Sequence, residues 1–128
     1  RDAHARTHLP RGPGILVHGP EAHPERWLPG ADATILPTRY DPAANSTVEA
    51  LACDVPPITS ARDGASEIVP DPRLVVADPG DVDGFAAAIR LAWGLPHDGR
   101  WRAAAAPWTV GRNADRMIEI YTALLGTR

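Results

Sequence analysis

The chain contains no lysine and no glutamine, so all 13 of its basic residues are arginine. Alanine and proline are plentiful, a bias that points to GC-rich bacterial coding. The one cysteine, Cys53, rules out an internal disulfide. It sits in the apolar run Ala50-Leu51-Ala52-Cys53, where a small buried hydrophobe is its expected role. No apolar stretch approaches the roughly 18 residues of a membrane span. Runs of like charge are also missing and the net charge is -3, so no basic stripe marks a nucleic-acid partner. Arg1 to Gly14 lack the apolar core of a signal peptide, and a cytoplasmic location is expected. The chain begins on Arg1 rather than Met, and reads as a piece of something longer.

What remains is an ordinary globular composition. With 128 residues, 44% of them hydrophobic and 23% charged, the chain is expected to form a single domain with one real core. Four short apolar runs read as strands: Ile15 to Gly19, Ala33 to Leu36, Pro57 to Ser60 and Leu74 to Ala77. Helices are expected between and after them. A short one covers Pro24 to Leu28, and another Gly64 to Val69. The helix from Ser46 through Cys53 carries a capping-box pattern, with Glu49 three residues after Ser46. A helix from about Asp81 places Val82, Phe85, Ile89 and Ala92 on one face. The last, from about Asn113 to Leu125, carries a stripe of Met117, Ile118, Tyr121, Leu124 and Leu125. Between these two, Trp101 and Trp108 flank four alanines, and the tryptophans are expected to pack or cover surface. Unbroken apolar strands alternating with helices predict an α/β fold, a Rossmann-like parallel sheet with helices on both faces.

In such sheets ligands sit beyond the carboxyl ends of the strands. The loop from Pro37 to Ser46 follows a strand and feeds a helix N-terminus, a place suited to phosphate or sugar hydroxyls. Asp41 and Glu49 frame it eight positions apart. Carboxylates accept paired hydrogen bonds from a sugar diol, so two of them can grip both parts of a nucleotide sugar. Local roles compete with this one. Glu49 can serve its helix cap, and Asp41 in Tyr-Asp-Pro can bond its own backbone in a turn. Arg39 and Arg62 follow strand ends and are within reach of a phosphate, although solvated surface is the commoner fate of such residues. His18 ends the first expected strand and would face the cleft, which makes it a candidate for sugar or base contact. His4 and His8 share helical spacing, but no third convergent ligand accompanies them, so no metal site is expected.

The stretch Leu36-Pro37-Thr38-Arg39-Tyr40-Asp41-Pro42, then Asn45-Ser46-Thr47-Val48-Glu49-Ala50-Leu51-Ala52-Cys53, then Pro57-Ile58-Thr59-Ser60 resembles the donor-binding half of GT-B glycosyltransferases. The likeness is to the retaining family that builds lipopolysaccharide cores and related glycans. Ala65-Ser66-Glu67-Ile68-Val69 and the segment from Val75 to Ile89 continue it in order. The resemblance implies transfer of a hexose from a nucleotide sugar, with retention, to a glycan or lipid-linked acceptor. Asp41 falls on the first acid of the family's motif, against the transferred sugar, and Glu49 on the second, which holds the ribose. Backbone amides of Ala43, Ala44, Asn45 and Ser46 would approach the sugar and diphosphate. No metal and no cofactor is implied, since the nucleotide sugar is a substrate. The resemblance also implies that an acceptor domain and a first βα unit lie outside this chain. By itself the chain is then expected to be inactive, and peripheral membrane contact belongs only to a full-length protein. Three features depart from the pattern: Ala43 and Ala44 in the loop, Asp54 where a left-handed glycine is expected, and Pro57 opening a strand. Two alternatives stay open: a nucleotide-sugar 2-epimerase, which shares this fold, and a non-catalytic degenerate binding domain, which the departures favour.

Overall fold

The computed structural model describes residues 12–126. The expected histidine pair, His4 and His8, lies outside the described residues. Three parallel strands form one sheet in the order β1 (Thr34–Leu36), β2 (Pro57–Ser60), β3 (Val75–Val76). Thr34, Ile35 and Leu36 pair with Pro57, Ile58 and Thr59, while Thr59 and Ser60 pair with Val75 and Val76. Helix α1 (Asn45–Ala52) crosses from β1 to β2. After β3 come α2 (Val82–Ala92), α3 (Arg100–Ala105) and α4 (Val110–Leu125). This is an α/β, Rossmann-like arrangement with helices around a parallel sheet.

Every residue of β2 is buried. Successive side chains of a strand point to opposite faces, so both faces of this central strand are covered. Pro57 is tolerated because it stands at the first position, where the bond it cannot donate is least missed. The principal core joins Leu51, Ile58, Leu74, Val76, Phe85, Ala88, Ala92 and Trp101. Trp101 is fully buried, and its indole N–H donates to the Pro96 carbonyl at 3.0 Å.

The structure corrects four sequence expectations. Ile15 to Gly19 is not a strand; Ile15, Leu16 and Val17 are exposed in irregular backbone. Three apolar residues with no partner strand among the described residues gain too little burial to form a strand. His18 therefore ends no strand, and its ring stacks on Trp27 with centroids 6.4 Å apart. The strand at Leu74 shrinks to two residues because Asp71 caps a 3-10 turn over Pro72–Leu74. On α2 the buried face is Phe85, Ala88 and Ala92, while Val82 and Ile89 are exposed. The last expected helix is present as α4 with its stripe of Met117, Ile118, Tyr121, Leu124 and Leu125, and that stripe is exposed, since α4 buries none of its residues.

Asp54 has φ 63°, in the left-handed region that favours glycine. The backbone around it is a regular helix ending: Asp54 N–H donates to Leu51 and Val55 N–H to Ala50, both at 2.9 Å. Its carboxylate explains why the residue is not glycine. Oδ2 accepts from Gly99 N–H at 2.8 Å and Oδ1 from Arg102 N–H at 3.3 Å. Helix α3 has Gly99 at its N-cap and no side-chain cap of its own. Asp54 supplies that cap from across the chain.

Candidate functional site

The loop that follows β1 lies at the carboxyl end of the sheet and is fastened to the loop that follows β2. Asp41 N–H donates to Arg62 C=O at 3.1 Å and Gly64 N–H to Asp41 C=O at 2.9 Å, forming a parallel bridge between Asp41 and Asp63. The two loops touch so closely that a Cβ at Gly64 would collide with the Pro42 carbonyl. Only glycine permits that approach.

Asp63 is the hub. Its side chain is 1% exposed. Oδ1 accepts from the Ala44 amide at 3.0 Å and the Ala65 amide at 2.9 Å. Oδ2 accepts from the hydroxyls of Thr47 at 2.7 Å and Thr59 at 2.9 Å. Burial pushes this carboxyl upward, but the four donors outweigh it and hold the acid below its ordinary range. Sequence reasoning missed Asp63. The available signal was an Asp-Gly pair just after a strand, which marks a cap. Its reach back to Ala44 and Thr47 is a tertiary matter.

The hub replaces the expected capping box. Helix α1 begins at Asn45, Ala44 is its N-cap, and no side chain from Ser46 or Glu49 caps it. Glu49 is thereby left exposed and available to a ligand. Asp41 is half-buried, and its Oδ1 accepts from the Ala43 amide at 3.1 Å, the turn its Tyr-Asp-Pro setting allows. The amides of Ala43 and Ala44 are thus occupied. Those of Asn45 and Ser46, on exposed residues in the first turn of α1, meet no acceptor among the described residues. Arg39 and Arg62 are exposed and form no ion pair among the described residues.

A cavity of about 550 Å³ opens beside this loop. Ala43, Asn45 and Val48 form one wall, and Trp108, Arg112 and Arg116 are on the other. Neither Asp41, Glu49, Ser46 nor His18 lines it. Cys53, at the far end of α1, is partly buried, and burial pushes its thiol pKa up. No helix among the described residues is long and apolar enough to cross a membrane.

Two relatives carry the name glycogen synthase, from two strains of Mycobacterium tuberculosis. Each is 39% identical to this chain over 77 residues, 59% of this chain and 19% of the relative. The chain thus spans about a fifth of the length of these relatives. No solved structure is a significant match. The family model described as glycosyl transferases group 1 matches residues 1–93, which include the sheet, the Asp41–Ser46 loop and the Asp63 hub. The chain belongs to the group 1 glycosyl transferases.

Proposed function

We propose that this chain is the nucleotide-sugar-binding part of a hexosyltransferase of GT-B architecture that works with retention. The observation that supports this best is the state of the Asp41–Ser46 loop. It is fastened to the neighbouring loop, it ends on two amides that meet no acceptor among the described residues at a helix N-terminus, and Glu49 is exposed one turn further on. In this reading Glu49 accepts hydrogen bonds from the ribose hydroxyls. The Asn45 and Ser46 amides meet the negative charge that grows on the leaving diphosphate. Asp41 spends one carboxylate oxygen on the Ala43 amide and keeps Oδ2 for a hydroxyl of the transferred sugar. The acceptor, a glycan or a lipid-linked sugar, is held by a second domain. The name of the relatives puts glycogen among the polymers to test as acceptor.

Titration with UDP-, ADP- and GDP-hexoses tests the reading. One of them is expected to bind, and Glu49→Ala to weaken it by about tenfold to a hundredfold, the weight of charge-assisted hydrogen bonds of about 1.5–3 kcal/mol. Binding that Glu49→Ala leaves untouched would remove Glu49 from the site. No binding by any of the three would sink the proposal.

A further inference from the structure

We infer that Asp63 is a positioning residue of the donor site, which sets the geometry of the loop and helix turn that meet the diphosphate and ribose. The inference rests on the donor-binding reading above. Its four partners come from four different pieces of chain. Ala44 belongs to the loop, Thr47 to the first turn of α1, Thr59 to β2 and Ala65 to the turn after it. Buried carboxylates are costly unless fully hydrogen-bonded, and this one is. Charge-assisted bonds are shorter and stronger than neutral ones, so a carboxylate holds these four pieces more tightly than a hydroxyl would.

The hold is specific to the loop. By taking the Ala44 amide, Asp63 fixes the peptide just before Asn45 and Ser46 and so aims their free N–H groups. By taking the Thr47 hydroxyl, it fixes the helix turn from which Glu49 projects. Gly64 lets the two loops close to contact. Asp63 itself is walled off from solvent, so it acts on a ligand only through these neighbours.

The test compares Asp63→Ala, Asp63→Asn and Thr47→Val with the wild-type chain. Affinities are measured for the nucleotide sugar and for its nucleoside diphosphate alone. Amide exchange is followed at Ala44 and, as a core reference, at Phe85. Asp63→Ala is expected to weaken the nucleotide sugar about tenfold, the weight of one lost hydrogen bond to the diphosphate or ribose. The free nucleoside diphosphate shares the contacts to Asn45, Ser46 and Glu49 and should weaken by a similar factor, while exchange at Ala44 should rise more than at Phe85. Asp63→Asn should restore most of the affinity. Its oxygen still accepts from Ala44 and Ala65, and its amino group can donate to Thr59 Oγ1, whose own proton then goes to the Leu36 carbonyl, 3.1 Å away.

Wild-type affinity in Asp63→Ala would overturn the inference. So would exchange that rises as much at Phe85 as at Ala44, which is the mark of a merely structural role. If Asp63→Ala fails to fold, Thr47→Val decides, since it deletes a single donor; wild-type affinity for both ligands there overturns the inference. A wild-type chain that binds no nucleotide sugar overturns the donor reading instead, and exchange at Ala44 then decides alone whether Asp63 sets the loop.

Discussion

Asp63 shows how one side chain settles a local conflict that backbone groups cannot. The first turn of a helix leaves amides without partners, and here two hydroxyls and two amides converge on one buried acid. Its folded pKa lies below its ordinary value of about 3.9. A lowered acid contributes stability that is fully present above the ordinary value and drains away as the pH falls through the folded one. Urea midpoints measured downward from about pH 4 should therefore fall steeply in the wild type. In Asp63→Asn the same profile should be flatter, because no proton can be taken up at that position. Parallel profiles would mean that other acids carry the acid sensitivity.

At the scale of elements, Asp54 joins two helices. It ends α1 in a conformation that costs a non-glycine residue energy, and it caps α3 with the same side chain. Asp54→Gly relieves the backbone but removes both bonds to α3. A net loss of about 1–2 kcal/mol is expected from urea unfolding, since a lost cap and a buried carboxylate pair of bonds outweigh the relief. An equally or more stable variant would show that the backbone term wins. The same helices show where the sequence was readable. The central strand stood out because unbroken apolar residues need cover on both faces, and α2 because Asp81 and the apolar spacing announce it. The loop with Asp41 and Glu49 was found from its place between a strand and a helix. Helix α3 was passed over because its cap comes from Asp54, 45 residues from Gly99. The capping box misled for the same reason. Ser46 and Glu49 have the right spacing, but Asp63 reaches Thr47 and Ala44 first. At Ile15 to Val17 the apolar letters were present and a neighbouring strand was not.

For the whole molecule, the deciding residue is Trp101. It is fully buried, belongs to the same core as Leu51 and Ile58, and comes from a helix that no strand pairing requires. Trp101→Ala should cost about 3–5 kcal/mol, a large part of the roughly 5–15 kcal/mol that holds an ordinary domain together. Thermal or urea unfolding reads this directly, and a loss below about 1 kcal/mol would mean that the core closes without it. Helix α4 stands outside that core, since it buries none of its residues. The bonds from Asp54 to Gly99 and Arg102 set a schedule for chain synthesis. Strands β1 and β2 leave the ribosome long before the residues that cap α3 and fill the core. The nascent sheet waits half-dressed until Trp101 emerges, so pausing or truncation ahead of that point exposes a greasy, aggregation-prone intermediate.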